Sequence, residues 1–450
     1  MQLPLRTLPA VAWERRGNHE KTGNDYETFT EIAEEMSDMT KTLSVRRPAS
    51  DLVFLSLCND KRTFKDGYLS FYWIDPDTIS SFIEQREPFR VVRIPRAKIN
   101  EGLAKELEET TQLAVLINKQ LYIVSENALA TLSLRASVGG ATSIRLQNFI
   151  RNLHFADAIF TKDEKINFIY RSQNVGISDG EEYGVKKIFA AVGYHFNYVP
   201  QTLLSDVIQQ LQENPEIGSV NVVEWEISHK LSSITVEFPD MAQSLRDEYD
   251  LDADFVPGVR FLISDIGYTP TTTQMICRVN DSTVIIEEIK QNHSRVMSEG
   301  KIGEEMISTF YQKMESAYKR IPSLLAELKK VSVIPEKDID DDVVVENATK
   351  NYKLAYNLLL KTYRTNIKKA ISVSDDGSLL IKLSDSLHAA RSTSYTYYDI
   401  AMILLTVPEK IRETNIILNR EKKENLGKVC GSIPAILRKH FYNTQNQKSK

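Results

Sequence analysis

Three residues near the middle of the chain have types and spacing that suit metal-dependent hydrolysis of phosphodiesters. Asp265 follows the apolar stretch 261–264, and Glu288 and Lys290 follow a second apolar stretch that starts at Val284. In such chemistry two carboxylates hold Mg²⁺ and a lysine orients the attacking water. The pattern supports one hypothesis, a Mg²⁺-dependent nuclease with Asp265, Glu288 and Lys290 as catalytic residues. Glu-x-Lys is a common tripeptide, so we rank this hypothesis below binding without catalysis.

A second group of residues has the chemistry to bind phosphate groups. Residues 349–371 are predicted to form one helix, and at about 100° per residue five cations share a stripe about 80° wide. Tyrosines lie beside this stripe. Cations on one face with adjacent aromatic rings are typical of surfaces that contact phosphates and stack on bases. The cations are Lys350, Lys353, Lys361, Arg364 and Lys368, and the tyrosines are Tyr352, Tyr356 and Tyr363.

The same pattern has a structural interpretation, which stays open at this point. The tyrosines lie on the apolar side of the predicted helix, where they would be core residues. The cations would then form a solvated face or pair with carboxylates elsewhere in the chain.

Charge is distributed unevenly along the chain. The last 100 residues contain 17 Lys and Arg against 8 Asp and Glu, although the whole chain of 450 residues has a net charge of −5. A basic segment attached to an acidic body indicates contact with a polyanion or with an acidic protein surface. The acidic surface could belong to another copy of the chain, which predicts a self-assembling structural protein as the alternative.

The sequence indicates neither a cofactor or metal site nor a membrane or secretory location. The chain has no phosphate-binding loop, dinucleotide fingerprint, nucleophile elbow or zinc-protease motif, so we expect no cofactor and no resident metal. Its three cysteines lie far apart, which is typical of a reducing compartment. No apolar run approaches the length of a membrane span, and no signal peptide is evident. We therefore expect a soluble, cytoplasmic protein with no membrane partner.

The segment from Asp254 to Gly267 resembles a family of phage- and plasmid-borne proteins of unknown function. The resemblance rests on Pro257-Gly258, the apolar strand that follows, and the Ser264-Asp-Ile-Gly267 stretch, with Cys277 further on. It extends over about residues 110–300, where the order of predicted elements is also similar. The resemblance implies that the protein comes from a mobile element and acts in a bacterial host cell.

We predict an α+β fold in which a mixed or antiparallel sheet occupies the N-terminal and central regions and helices follow. A helix is expected from about Tyr26 to Leu43, and a hairpin with its turn at Asn118-Lys119 precedes a helix capped by Ser125. The predicted divisions are a polar extension (1–50), an α+β domain (51–155), a sheet-rich domain (156–295), a helical connector (296–334), an acidic linker (335–347) and a basic helical region (348–450).

The leading prediction of function is a nucleic-acid-binding or nucleoprotein-organising protein without enzymatic activity. Contact would be mainly with the phosphate backbone, with DNA as the favoured ligand. Self-assembly through an acidic surface of another copy and the Mg²⁺-dependent nuclease are the alternatives.

Overall fold

The fold was determined from a computed structural model, which describes most of the chain from residue 20 onward. The described residues are 20–46, 52–58, 67–95, 99, 104–105, 107–137, 148–162, 165–172, 177–178, 181–182, 186–193, 196, 198–251, 254–291, 299–333, 344–374, 376–390 and 395–448.

Two large β-sheets form the N-terminal and central parts of the protein, and helices form the C-terminal part, which confirms the α+β class. Among the described strands, neighbours are antiparallel except for one parallel pair, β11 with β7. The eight-stranded sheet has the spatial order β2 (Thr40–Arg46), β8 (Lys165–Ser172), β11 (Lys186–Gly193), β7 (Gln120–Val124), β6 (Leu113–Ile117), β3 (Leu52–Leu57), β4 (Tyr68–Ile74) and β5 (Val91–Pro95). The six-stranded sheet has the order β1 (Glu20–Gly23), β12 (Asn221–Ser228), β13 (Ser232–Glu237), β14 (Phe255–Ile263), β15 (Thr271–Val279) and β16 (Ser282–Gln291). Two short strands, β9 (Ile177–Ser178) and β10 (Glu181–Glu182), pair with each other.

Helices pack on both sheets and continue to the C-terminal end. Those in the sheet region are α1 (Tyr26–Met39), α2 (Pro76–Gln85), α3 (Glu126–Arg135), α4 (Asn148–Lys162), α5 (Leu203–Gln212) and α6 (Pro239–Tyr249). Those that follow are α7 (Glu299–Lys329), α8 (Val344–Thr362), α9 (Lys368–Ile371), α10 (Gly377–Ala389), α11 (Tyr397–Leu405), α12 (Val407–Arg412) and α13 (Arg420–Lys448). π-helical turns occupy Leu107–Thr111 and Tyr363–Ile367.

Local signals in the sequence correctly predict the hairpin of β6 and β7. Asn118 and Lys119 have φ values of 51° and 64°, which is the conformation that a two-residue type I′ turn requires. Ser125 then caps α3, because its hydroxyl oxygen accepts a hydrogen bond of 3.1 Å from the backbone N–H of Ala128.

The prediction that residues 1–50 form a polar extension is wrong for the part that the structure describes. β1 pairs with β12 in one sheet, and β2 pairs with β8 in the other. The helix predicted to continue to Leu43 ends at Met39, because residues from Thr40 onward pair with β8. Ladder hydrogen bonds to a distant strand override the helical periodicity there.

The predicted boundary between residues 155 and 156 falls within a sheet, so this division is also wrong. β8 and β11 lie after the boundary, yet they belong to the eight-stranded sheet formed by strands before it. The predicted connector at 296–334 contains α7, whose buried residues pack on the six-stranded sheet. Residues 335–343, which make up most of the predicted acidic linker, lie outside the described residues.

The six-stranded sheet has one apolar and one polar face. α1, α5 and α7 cover the apolar face, and Trp225 and Phe261 point into this core. α13 crosses the polar face, where Gly427 and Gly431 lie against Ile285 of β16. The C-terminal helices share a core with one end of this sheet and with the last turns of α7. They therefore pack firmly on the acidic body and do not form a detached tail.

Within the described ranges, none of the helices combines the length and apolar character needed to cross a bilayer. Cys58, Cys277 and Cys430 are all buried, and none of them forms a disulfide.

Candidate functional site

Asp265 lies in a buried ion pair, not at an open metal site. Its Oδ2 accepts a hydrogen bond of 2.5 Å from Arg171 of β8, and neither side chain is exposed to solvent. Arg171 also donates from Nε to the hydroxyl of Thr40 at 3.0 Å and from one Nη to the carbonyl oxygen of His229 at 3.0 Å. Its guanidinium therefore connects β8 of one sheet to the loops at the end of the other.

Glu288 and Lys290 pair with each other at 2.9 Å, and Glu288 also binds Lys428 of α13. The strand register aligns Glu288 with Gln274, which aligns in turn with Arg260, five residues before Asp265. Strand rise and spacing then separate the two carboxylates by about 15–20 Å.

The structure thus does not assemble the predicted nuclease residues. Their carboxylates are too far apart to share a metal ion, and one of them is fully enclosed. No group of three or more His, Cys, Asp or Glu side chains suited to a metal occurs in the part of the chain that is described. Glu288 lies within β16, and Asp265 lies in the turn after β14, so the two residues do not share an edge of the sheet.

The predicted basic helix is interrupted by a π-helical turn. α8 ends at Thr362, the π turn spans Tyr363–Ile367, and α9 follows. A π turn acts as a one-residue insertion and rotates the residues beyond it by about 100°. Lys368 consequently leaves the stripe and pairs with Asp376 at 3.0 Å.

The other four cations of the stripe are exposed. Lys350, Lys353, Lys361 and Arg364 have no ion-pair partner among the described residues. These four residues, which we call the basic stripe, are held by the buried opposite side of α8, where Ala355 and Leu359 are fully enclosed in the helical core. A solvated row of unpaired cations attracts polyanions with little desolvation of its own.

The tyrosines belong mainly to the core. Tyr363 is completely buried, and its burial together with the nearby Asp376 carboxylate raises the pKa of its hydroxyl. Tyr352 is half-buried and stacks on His388, with ring centroids 4.1 Å apart, and on Tyr356 at 5.8 Å. Tyr363 therefore cannot stack on a base, and this part of the prediction is wrong because the apolar side of the helix is packed.

Part of the positive charge near the C-terminal end is neutralised by carboxylates of the preceding body. These contacts hold α13 on the six-stranded sheet and on α7. The pairs are Arg420 with Glu226 (2.8 and 2.9 Å), Lys428 with Glu288, and Arg438 with Glu327 (2.7 Å).

The C-terminal half of α13 adjoins the basic stripe. Burial, and then the ammonium of Lys361, lower the pKa of His440 on α13. The same imidazole lies 3.3 Å from the hydroxyl of Tyr397 on α11. Lys361 therefore lies close to the helix that carries Arg438 and Lys439.

An open groove of about 840 Å³ runs between α7 and α13. α13 contributes Ala435, Arg438, Lys439 and Tyr442, whose three- and four-residue spacing places them on one side of the helix. α7 contributes Lys319 and Arg320, with Ser316 and Ser323 one turn to either side, and Tyr249 and Leu324 complete the apolar part of the wall.

The groove carries an excess of positive charge. Among the described residues that line it, four are cations and Glu327 is the single carboxylate. Glu327 pairs with Arg438, and Lys319 pairs with Glu315 at 3.2 Å. Within the described ranges Arg320 and Lys439 have no ion-pair partner, so both are available to a ligand.

Sequence reasoning did not find this groove. Arg438 and Lys439 lie almost 120 residues beyond Arg320, and nothing in the intervening sequence specifies that the two helices lie side by side. The available signal was the spacing of Ala435, Arg438, Lys439 and Tyr442, which puts a small residue, two cations and an aromatic ring on one face.

Comparison with models of known protein families, with curated proteins and with solved structures gives no match. The resemblance of residues 110–300 to phage- and plasmid-borne proteins thus stays a prediction.

Proposed function

We propose that the protein binds nucleic acid, DNA in particular, without cleaving it. The basic stripe and the groove between α7 and α13 would form the binding surface. The observation that carries this proposal is the set of six exposed or groove-lining cations without carboxylate partners among the described residues: Lys350, Lys353, Lys361, Arg364, Arg320 and Lys439.

The physical basis is release of counterions from the phosphate backbone. Six phosphate contacts correspond to a slope of about −4 to −5 in a plot of log affinity against log salt concentration. Affinity should then fall on the order of a thousandfold between low and moderate salt. As the resemblance to phage- and plasmid-borne proteins implies, the protein would act in the cytoplasm of a bacterial host.

The test compares two triple variants with the same change in net charge. Lys353→Glu, Lys361→Glu and Arg364→Glu together reverse three charges of the stripe. Lys41→Glu, Arg93→Glu and Lys301→Glu reverse three exposed charges on β2, β5 and the start of α7. Fluorescence anisotropy with labelled DNA should show loss of binding and a shallower salt slope in the first variant only. Equal affinity in the two variants would refute the proposal.

A second candidate function is self-assembly, and α1 provides a specific observation for it. Glu27, Glu31, Glu34 and Asp38 are exposed, and their spacing of four, three and four residues aligns them along one side of the helix. This acidic row has a length and charge that complement the basic stripe of another copy.

The two candidates make different predictions for variants of α1. Glu27→Lys, Glu31→Lys and Glu34→Lys together should abolish salt-sensitive self-association in sedimentation experiments without nucleic acid. The same changes should leave DNA binding intact or strengthen it, because they remove negative charge. A wild-type protein that stays monomeric at low salt would eliminate the assembly candidate.

A further inference from the structure

We propose that the groove between α7 and α13 binds a single-stranded segment of nucleic acid and stacks one of its bases on Tyr442. The inference rests on the proposed function and adds the strandedness of the ligand. The basic stripe contacts phosphates of either a duplex or a single strand, whereas the groove selects an unpaired base.

Tyr442 has the exposure that a stacking platform needs. Its side chain is 49% exposed, on a helix that contributes Cys430, Ile433 and Leu437 to the core. Arg438, one turn earlier, places its guanidinium carbon 5.7 Å from the centre of the Tyr442 ring. Aromatic rings with an adjacent arginine are common in proteins that bind single strands, because every base has a π face to stack on.

The packing around Tyr442 holds the ring in place. Phe441 lies 5.2 Å away between ring centroids and itself packs edge-on against Tyr397 of α11. α13 is therefore anchored directly beside the exposed ring. An anchored ring loses little conformational freedom when a base stacks on it.

The opposite wall supplies donors for a phosphate group. Arg320 of α7 is unpaired within the described residues, and Lys439 is unpaired on α13. Ser316 and Ser323 lie one turn on either side of Arg320, so small side chains keep this wall open. The hydroxyl of Ser316 donates to the carbonyl oxygen of Lys313, whereas that of Ser323 can donate to a ligand. The groove volume of about 840 Å³ is within the range of pockets that enclose small organic molecules.

A duplex cannot use this arrangement fully. Its bases are stacked on one another in the interior of the helix, and only phosphates and groove edges reach a protein surface. Stacking on Tyr442 therefore requires a base that is already unpaired or is extruded at the cost of unstacking.

The test uses the full chain, a labelled single-stranded deoxyoligonucleotide and the duplex of the same length. Tyr442→Ala should weaken binding of the single strand about five- to a hundredfold and leave binding of the duplex unchanged. Tyr442→Phe should restore the affinity, since it keeps the ring. Tyr268→Ala is the matched control, because Tyr268 is 57% exposed and lies after β14, away from the groove.

A direct readout complements the affinity measurement. In Tyr442→Trp the new indole should be quenched by the single strand and not by the duplex. Equal losses for both ligands in Tyr442→Ala, or no loss for either, would overturn the inference. Such a result would leave the proposed function standing as long as the triple variant of the basic stripe loses DNA binding. Failure of the inference is therefore distinguishable from failure of the proposed function.

Discussion

Arg171 of the eight-stranded sheet donates a hydrogen bond of 2.5 Å to Asp265 at the end of β14, and both side chains are fully buried. Removing one member of such a pair leaves an uncompensated charge in the interior. We predict that Asp265→Ala lowers the free energy of unfolding by about 3–5 kcal/mol. Denaturation by urea at neutral pH measures this loss.

The double variant Arg171→Met, Asp265→Leu is the control for this prediction. It removes both charges and should restore a large part of the stability, since a buried ion pair often contributes little over apolar residues of similar size. A double variant as unstable as the single one would mean that shape, and not charge, dominates at this position.

Gly431 of α13 lies directly against the backbone of β16, where an added methyl group would overlap the carbonyl oxygen of Ile285. Alanine favours helices by about 1 kcal/mol over glycine, but the overlap involves backbone that cannot rotate away. Gly431→Ala should therefore destabilise the protein by about 1–3 kcal/mol. Thermal unfolding should show the lower midpoint.

Gly303→Ala in α7 provides the comparison. A methyl group there would meet the end of the Leu203 side chain at 3.1 Å and Val207 at an ordinary contact distance of 3.8 Å. We expect a neutral or slightly stabilising effect, because the leucine can adjust and the helix propensity improves. If both glycine variants change the unfolding midpoint by the same amount, the close approach of α13 to β16 does not determine the effect of Gly431→Ala.

Acid should loosen the contact between α13 and the six-stranded sheet. Burial raises the pKa of Glu288, but hydrogen bonds from Lys290 and Lys428 outweigh it and leave the pKa below the ordinary 4.5. A lowered carboxylate pKa stabilises the fold above the unfolded value, and this stability is lost as the pH falls through the folded value.

The pH effect should therefore begin below about pH 5 and grow as the pH falls further. Protection of the amides in the first turns of α13, measured relative to their intrinsic exchange rate at each pH, should decrease over this range. Glu288→Gln should remove this portion of the acid dependence while lowering stability at neutral pH. An unchanged acid profile in the variant would assign the effect to other carboxylates.

The position of α8 beside α13 can be measured through His440. Lys361→Gln removes a nearby positive charge, so the pKa of His440 should rise towards its ordinary value. Titration followed by NMR gives this shift directly. Lys353→Gln, about two turns earlier on the same helix, should have little effect, and equal shifts in the two variants would contradict the observed placement.

The sequence predicts local structure correctly where the interactions that form it join residues only a few positions apart. The turn at Asn118-Lys119 and the cap at Ser125 follow from backbone preferences and short hydrogen bonds, and both are confirmed. The sequence did not predict where α1 ends, because Thr40 begins a strand that pairs with residues about 130 positions away. The π turn that starts at Tyr363 was not predicted either, since the apolar pattern of the sequence continues with helical periodicity through it.

In the candidate site too, features set by nearby residues were predicted and features set by distant residues were not. The exposed side of α8 was predicted from periodicity, because the apolar residues opposite it form a continuous face. The groove exists because α7 and α13 lie side by side. Asp265 is enclosed in an ion pair because it meets Arg171, which lies 94 residues earlier in the sequence. Such relationships are set by packing of the whole fold and leave no short-range pattern.

The pairing of β1 with β12 also bears on how the chain folds during synthesis. Glu20 pairs with Ser228, so more than 200 residues must be made before the first strand can join its sheet. At ribosomal rates of about 5–20 residues per second, this strand waits on the order of 10–40 s without its partner. High contact order of this kind predicts slow folding and a need for protection of nascent chains. A fragment that lacks the second half of the protein should consequently aggregate when expressed, even though it contains all eight strands of the eight-stranded sheet.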